Sequence, residues 1–452
     1  MMNSPSNSDF SQGSVASNIV RLAVPMTLAQ LVNVLYNIVD RIYIGRMGAD
    51  ATQALTGLGV CFPVITIVIA FANLIGMGGA PLFSMQRGAG HDEEAEAIMG
   101  NCLTLLLCFG LGLTAVGLLV RRPLLFALGA SEVTLPYAMS YLTIYLIGNV
   151  CVMLSLGLNN FINAQGFART GMLTVVIGAV LNLILDPIFI FALHLGVRGA
   201  ACATVLSQCV AALWTLRFLT GPKTLLRLRR RHLRCQAGRV KRILTLGLAG
   251  FTMSVTNSAV QIACNSCLQT FGGDLYVGVM TVINSVREII MLPINGISSS
   301  AQPVMSFNYG ASLHHRVKQA IRFQSGILIA YSLAVWGVIS LFPHFFIHIF
   351  NTDPALTAAG VPSMHIYFFG FFLMALQFSG QSVFTALGMS RYAIFFSIFR
   401  KGIVVIPLTL LLPHIAGLGV FGVFLAEPIS NLLGGVACFT TMYRTVYQKL
   451  ET

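Results

Sequence analysis

The sequence predicts an all-α polytopic membrane protein. We expect twelve transmembrane helices in two six-helix lobes, related by a pseudo-twofold axis along the membrane normal. Of the 452 residues, 56% are hydrophobic and only 9% are charged, and the mean hydropathy is +0.81. Apolar runs long enough to cross a bilayer, which takes roughly 20 residues, follow one another with short polar breaks. Motifs of the first half recur in the second half in the same order.

The apolar runs and the breaks between them give the approximate extents of the helices. In the first half the predicted spans are 18–45, 55–85, 96–120, 134–163, 171–193 and 198–219. In the second half they are 241–270, 277–305, 317–342, 358–387, 393–413 and 418–446. Gly and Pro in the breaks favour these boundaries.

A strongly basic stretch separates the halves and indicates how the chain sits in the membrane. The predicted domains are 1–220, a basic linker at 221–240, and 241–452. Cytoplasmic loops carry an excess of Lys and Arg, so we place the linker in the cytoplasm of a plasma-membrane protein. An even number of spans then puts both termini on the cytoplasmic side. The same rule accounts for the net charge of +13, so no nucleic-acid partner is expected. The acids of 87–96 are expected to form a solvated helix start.

The two halves read as copies of one six-span unit. Each copy has an even number of spans, so both insert the same way round, which is typical of parallel repeats that flank a central cavity and alternate its access. The matched stretches are 22–50 with 246–274, Pro81 to Ala89 with Pro303 to Ala311, Gln165 to Arg169 with Leu387 to Arg391, and Leu195 to Gly199 with Leu418 to Gly422.

The first span carries a stripe of polar residues. Gln30, Asn33, Asn37 and Asp40 recur at helical spacing within Val24–Gly45, so they share one face. A carboxylate in hydrocarbon costs on the order of 2.5–3.5 kcal/mol even on insertion scales. Such a residue therefore faces protein, water or an ion. The alternative is that Asp40 reaches the interface beside the arginines that follow it.

A second carboxylate follows in the fifth span. Asn182 and Asp186 are four residues apart on one helix face, Pro187 interrupts the helix, and Thr204 adds a hydroxyl from the sixth span. Two acids close together in a low dielectric cannot both stay ionised at low cost, so they can share protons. With the amide and hydroxyl oxygens they can also hold a hard cation such as Na⁺. The alternative is that Asp186 only caps a broken helix.

The second lobe departs from this pattern. Asn257 and Gln261 keep the amide stripe, but Cys264 stands where Asp40 would be. A matching cation site in this lobe is therefore not expected.

Charged residues also occur inside the spans of the second lobe. Glu288 lies beside Arg287, Glu427 lies in the last span, and Arg400 and Lys401 lie in the eleventh. Charges in hydrocarbon need a partner or a wet cavity. A structural ion-pair set and a set of substrate contacts both remain open. The residues that we select as candidates for a substrate cavity in the two lobes are Gln30, Asn33, Asn37, Asn163, Asn257, Gln261, Glu288 and Arg400.

Taken together, these motifs resemble the multidrug and toxic compound extrusion (MATE) family of antiporters over nearly the whole chain. The acids in the first lobe and Arg400 before Pro407 look like the DinF/MepA-type bacterial branch. The motifs that carry the resemblance are Pro25 to Gly45, Asn182 to Pro187, Gly199 to Thr204, Gln302 to Ala311 and Gly422 to Pro428.

The resemblance implies export of amphipathic, often cationic compounds in exchange for H⁺ or Na⁺. It implies that Asp40, Asn182, Asp186 and Thr204 form the coupling site. We expect a monomer whose partners are small-molecule substrates and the lipid bilayer, with no cofactor beyond the coupling ion.

Two rival functions follow from other features. A flippase or exporter of a lipid-linked or polar metabolite would need a strongly basic cavity, and the embedded basic residues are few. An intramembrane prenyltransferase would need clustered aspartates for Mg²⁺, and the acids of 92–96 lack that spacing. We therefore expect a transporter and not an enzyme.

Overall fold

The computed structural model describes residues 9–47, 51–350, 353–415 and 417–450, which fold almost entirely as helices. The predicted fold class is confirmed. The first half of the chain forms α1 (Val15–Gly45), α2 (Ala51–Gly88), α3 (Asp92–Ala127), α4 (Leu135–Ala164), α5 (Ala168–Pro187) and α6 (Val197–Thr220). A π-helical turn, Ile188–Ala192, continues α5.

The second half is less regular. It forms α7 (Ala237–Gly310), α8 (His314–Leu341), α9 (Pro343–His348), α10 (Pro354–Phe368), α11 (Phe372–Ala386), α12 (Ser390–Ile398), α13 (Ile406–Leu411) and α14 (Val420–Met442). A π-helix, Phe399–Val405, joins α12 to α13. Another π-helical turn, Tyr443–Tyr447, follows α14.

These helices supply twelve spans. Ten helical stretches of the described residues are long and apolar enough to cross a membrane, and the bent pair α10–α11 makes an eleventh. The 74-residue α7 contains a non-helical residue, Gly273, with φ 65° and ψ −165°. Its two arms are each long enough to span, since a helix rises about 1.5 Å per residue. Counting both arms gives the predicted number.

The tenth span was wrongly predicted as one continuous helix over 358–387. The structure breaks it between α10 and α11, with a bend of 46°. Gly370 lies at the break with φ 66°, a left-handed conformation that glycine adopts without strain. The predicted eleventh span is also irregular, because the π-helix interrupts it where Arg400 and Lys401 are buried. Such π segments are frequent at functional sites.

The described chain divides into two compact units. Unit 1 contains residues 24–247 and unit 2 contains 248–450 together with 11–23. The start of α1 therefore belongs with the second half, where the Arg316 guanidinium donates to the carbonyls of Gln12 and Gly13 at 3.2 and 3.0 Å. The basic segment 221–240 is part of unit 1.

The internal repeat appears in the backbone of each unit. Gly196 and Gly419 precede α6 and α14 with φ 56° and 46°, so both turns need a left-handed residue. Three residues later, Gly199 and Gly422 lie so close to the preceding helical segment that an added Cβ would be 2.7 Å from backbone carbon. Only glycine fits either position, which explains why this motif recurs.

The basic segment 221–240 is folded against the start of α3. The buried carboxylate of Glu96 accepts hydrogen bonds from the Arg227 N–H and from Arg229 Nε, both at 3.0 Å. Fully buried Asn101 donates to two backbone carbonyls of the segment, each at 3.0 Å. The expectation of a solvated helix start is therefore wrong for Glu96. Glu96 holds the basic segment against α3, although the positive charge of the segment alone would favour a position in water.

Gln165 holds the other end of the same segment. Its Oε1 accepts from the Thr224 hydroxyl at 2.8 Å and from the N–H groups of Leu225 and Leu226 at 3.0 and 2.9 Å. Leucine at position 165 would leave these buried donors unpaired, which costs about 1–3 kcal/mol for each group. We expect Gln165→Leu to lower the melting temperature of the purified protein by several degrees in a thermal unfolding scan.

The matched control is Gln236→Leu, because that side chain is exposed on the same segment. It should leave the melting temperature unchanged. Equal melting temperatures for both variants would show that the Gln165 hydrogen bonds do not order the segment.

Candidate functional site

Four polar side chains from three helices meet inside unit 1. Asp40 comes from α1, Asn182 and Asp186 from α5, and Thr204 from α6. Asn182 and Asp186 are 2% and 1% exposed. The Asn182 amide donates from Nδ2 to Asp186 Oδ1 at 3.3 Å and to Thr204 Oγ1 at 3.4 Å. The structure thus brings these four side chains to one place.

Small residues make this meeting of helices feasible. The fully buried Gly199 of α6 lies against the backbone of Phe189, just beyond the end of α5. Ala200, Ala201 and Ala203 follow it and are completely buried. Helices that pack through small side chains approach closely in a membrane. This approach allows Thr204 to reach the amide of α5.

The two carboxyl groups lie close enough to interact with each other. Ionised carboxylates only accept hydrogen bonds, so a direct contact between them requires a proton on one or a cation between them. Asp40 Oδ1 and Asp186 Oδ2 are both buried and have no donor among the described residues. These two oxygens are therefore available to a proton or to a cation.

Pro187 places a weak point directly beside this pair. Proline has no N–H, so the carbonyl four residues earlier loses its helical partner. The chain changes there from the α-helix ending at Pro187 to the π-helical turn Ile188–Ala192. A change of hydrogen bonding at Asp186 therefore acts on a helix that is already interrupted.

Tyrosine side chains complete the site, and the sequence reasoning missed them. The Tyr141 hydroxyl is within hydrogen-bonding range of Thr204, and Tyr36 lies near both acids. Tyr141 and Tyr145 stack with ring centroids 6.2 Å apart. Tyr36 precedes Asp40 by one helical turn, a spacing that could have identified it. No comparable signal marks α4, because tyrosine is common in apolar spans.

The rest of the predicted stripe on α1 is more exposed. Gln30 and Asn37 are half-buried and Asn33 is exposed. Asn37 Nδ2 donates to the Asn33 carbonyl at 2.6 Å, which is a contact within the helix. Among the described hydrogen bonds none joins these amides to Asp40. The structure therefore places only the last residue of the stripe in the acidic site.

Asn163 lies elsewhere in unit 1. Its Oδ1 is beside Gly171, near the start of α5. Asp186 lies at the far end of the same helix, about 22 Å away at 1.5 Å per residue. Asn163 is therefore separate from the acids.

Unit 2 contains a buried cluster of opposite charge. Lys401 Nζ donates to Glu427 Oε1 and Oε2 at 2.9 and 3.0 Å. Arg400 Nη1 donates to the same carboxylate at 3.2 Å and to Asn431 Oδ1 at 2.9 Å. Arg287 also interacts electrostatically with Glu427. We define the basic cluster as Arg287, Arg400, Lys401 and Glu427.

A cavity of about 90 Å³ opens beside this cluster. Among the residues that line it are Asn257, Gln261, Cys264, Arg287 and Lys401. Two of the predicted substrate-cavity residues, the amides, are therefore on its wall. Glu288 is not, because it is exposed on the other side of its helix. Arg400 contacts the cavity only through Glu427, which it shares with Lys401.

The acidic site and the basic cluster occupy corresponding positions of the repeat. Glu427 follows Gly422 by the same five residues that separate Thr204 from Gly199. Cys264 stands at the position of Asp40, and its Sγ is 3.9 Å from Thr409 Oγ1. One scaffold thus presents acids in unit 1 and an excess of cations in unit 2.

Twelve apolar spans in two repeated units, each with charged groups buried in its interior, define a polytopic membrane transporter. The model of the MatE family matches residues 25–188 and 250–411, and the chain belongs to this family of multidrug efflux transporters. The resemblance inferred from the motifs is confirmed.

Relatives and solved structures agree over nearly the full length. The multidrug export protein MepA of Staphylococcus haemolyticus is 24% identical over 444 residues, covering 97% of each chain. A protein of Shewanella oneidensis described as an FAD transporter is 25% identical over 459 residues, covering 94% of this chain and 95% of its own. A crystal structure of MATE in complex with MaD3S superposes with a TM-score of 0.91 at 26% identity, covering 98% of each chain.

Proposed function

We propose that the protein is a secondary antiporter that exports amphipathic, often cationic drugs and toxic organic compounds in exchange for H⁺ or Na⁺ by alternating access. The observation that carries the proposal is the pair of Asp40 and Asp186, which interact with each other and each have a buried carboxylate oxygen without a donor among the described residues. Such a pair binds a cation from one side of the membrane and must release it before binding the next.

The geometry of Asn182 favours a proton as the coupling ion. Its amide presents Nδ2, a donor, to Asp186 and Thr204. A donor stabilises a carboxylate, whereas a Na⁺ ion needs oxygen ligands around it. A proton shared by the acids satisfies the present arrangement. A Na⁺ ion would require the amide to turn over and present Oδ1.

The break in α5 at Pro187 links ion binding at Asp186 to a change in the shape of the helix. Adding or removing a cation changes the charge and the hydrogen bonds of Asp186, which precedes Pro187 directly. The free carbonyl groups near a proline let a helix bend at small cost. We infer that ion binding shifts α5 between two conformations and so couples the gradient to export.

The gradient supplies enough energy for this task. Moving one charge across a membrane potential yields roughly 2.3 kcal/mol per 100 mV. Each 1.4 kcal/mol is a tenfold concentration ratio, so one ion can drive an uncharged substrate to a more than tenfold gradient. One-for-one exchange with a monovalent cation moves no net charge, so in that case the pH or Na⁺ gradient itself supplies the energy.

The test is transport of ethidium in vesicles that hold the purified full-length protein. Imposed pH and Na⁺ gradients are varied separately, and ethidium fluorescence reports the initial rate. We expect a pH gradient alone to drive export at constant Na⁺, because the acid pair and its donor suit a proton.

Transport that requires Na⁺ would instead make Asp40, Asn182, Asp186 and Thr204 a cation cage. Transport under neither gradient, in vesicles shown to contain folded protein, would refute coupled export of such compounds.

One alternative substrate class has an observation in its favour. The relative from Shewanella oneidensis is described as an FAD transporter. Arg287, Arg400 and Lys401 share a single buried carboxylate in this chain. An exporter of a polar, anionic or lipid-linked metabolite could use that charge. Gradient-driven movement of FAD without movement of ethidium in the same vesicles would favour this alternative.

We also propose the orientation and assembly of the chain. The basic segment 221–240 is placed in the cytoplasm by the excess of positive charge that cytoplasmic loops carry. Both termini then face the cytoplasm of a plasma-membrane protein. Each unit has its own apolar core, so the proposed functional form is a monomer.

A further inference from the structure

The basic cluster of unit 2 and the cavity beside it have no role in the proposed coupling site. We propose that this cavity binds an oxyanion, the carboxylate or phosphate group of a small or amphipathic molecule. The inference rests on buried charge, free donors and the size of the cavity, and it does not depend on which ion drives transport.

The charges of the cluster do not balance. Arg287 and Arg400 are guanidinium groups, which stay protonated in proteins. Lys401 adds a third cation unless it loses its proton. Glu427 is the one carboxylate that they share among the described residues. At least one positive charge therefore remains uncompensated beside the cavity, a condition that a bound anion removes.

Arg287 is the cation best placed to hold such an anion. The carboxylate of Glu427 already accepts hydrogen bonds from Arg400 and from Lys401. The Arg287 side chain lines the cavity beside Tyr367. A guanidinium has five N–H donors in a planar fork, so most of them remain for a ligand.

Other polar groups surround the same space. Lys401 has three ammonium hydrogens, of which the described contacts with Glu427 use two. The amides of Asn257, Gln261 and Asn284 are also on the wall. Charged and neutral donors on several sides of one cavity are the arrangement that carboxylate and phosphate ligands require.

The dimensions limit the ligand. The volume of about 90 Å³ accommodates one carboxylate or phosphate group. A cavity known to bind benzene has about 150 Å³, so a molecule with an aromatic ring would place its head group here and leave the rest outside. Val260, Met280, Val405 and Val423 supply apolar walls between the polar groups. An amphipathic anion matches both kinds of surface.

The experiment measures binding to the purified full-length protein in a non-ionic detergent by isothermal titration calorimetry. The probes are benzoate, phenyl phosphate and benzamide, which share a ring and differ in charge. We expect benzoate and phenyl phosphate to bind in a 1:1 ratio and benzamide at least tenfold more weakly. Equal affinity for benzoate and benzamide would overturn the proposal without any mutation.

Variants at Arg287 locate the site. Arg287→Gln removes a cation without breaking the hydrogen bonds of Glu427, and it should weaken benzoate binding at least tenfold. Arg287→Lys keeps the charge and should stay within about threefold of the native affinity. The matched control is Arg391→Gln, an exposed cation of the same unit. Native affinity in Arg287→Gln would show that the anion binds elsewhere.

Competition distinguishes the two sources of an oxyanion. Displacement of benzoate by inorganic phosphate would support a soluble ligand, and displacement only by dioleoylphosphatidate would support a lipid head group. If the unmodified protein binds benzoate but does not transport ethidium under either gradient, only the proposed antiport function is contradicted. If the unmodified protein transports ethidium but binds benzoate and benzamide equally well, only the proposed anion site is contradicted.

Discussion

Asp40→Asn and Asp186→Asn should each abolish ethidium export driven by a pH gradient, with at least a 100-fold loss of initial rate. Asparagine keeps the shape of aspartate but neither binds nor releases a proton near neutral pH. The two carboxyl groups interact, and each has a buried oxygen without a donor among the described residues. One neutral amide therefore removes the exchangeable cation site. The measurement is fluorescence-monitored export from vesicles of matched protein content.

The double variant makes this prediction sharper. If the two acids act as one unit, Asp40→Asn with Asp186→Asn should be no slower than either single variant. Independent roles would instead make the losses multiply. A native rate in both single variants would exclude the pair as the coupling site.

The control matches the chemical change. Asp274→Asn makes the same replacement at an exposed acid of unit 2. Its export rate should equal that of the unmodified protein. All variants should elute as monodisperse protein from size-exclusion chromatography, because an amide in the acidic site removes a buried charge and not a packing contact.

The acidic site could be predicted because its rules are local. A bilayer admits few intramembrane carboxylates, so Asp40 and Asp186 stand out in any apolar span. Helical spacing then joined Asn182 to Asp186 on one face, and the structure shows them hydrogen-bonded. The repeats were visible for a related reason. A side chain at Gly199 or Gly422 would clash with the neighbouring backbone, so glycine recurs at this position in both halves.

The sequence singled out the embedded charges of the basic cluster but not their contacts with one another, because its members are far apart in the chain. Arg287 and Glu427 come from different helices, and nothing in their spacing signals that both approach Lys401. The sequence suggested that the embedded basic residues were too few for a strongly basic cavity. Tertiary packing places three of them around one carboxylate, so their number is less informative than their position.

Two further features of the structure were not predicted. Most side chains of 221–240 are exposed, as its charge indicates, but Glu96 and Gln165 also supply acceptors for its backbone. Hydropathy cannot detect such hydrogen bonds. The break between α10 and α11 depends on the left-handed conformation of Gly370. A glycine within an apolar run is compatible with a continuous helix and with a break, so composition does not decide between them.

Glu427→Gln should be the most destabilising single substitution among those considered. The carboxylate accepts hydrogen bonds from Arg400 and Lys401 and lies close to Arg287. Removing one partner of a buried ion pair costs about 3–5 kcal/mol, because the remaining charges stay buried without compensation. We expect a clear fall in the melting temperature of the detergent-solubilised protein. Glu288→Gln, at an exposed neighbour of the cluster, is the matched control and should leave it unchanged.

The charge imbalance also predicts how the loss can be repaired. Glu427→Gln combined with Lys401→Met removes one anion and one cation together, so the double variant should melt above the single one. An anion bound in the cavity would act similarly. Benzoate should therefore raise the melting temperature of Glu427→Gln more than that of the unmodified protein, because the variant carries more uncompensated positive charge. Equal shifts of the melting temperature would mean that the Glu427 carboxylate and the bound benzoate do not neutralise the same cations.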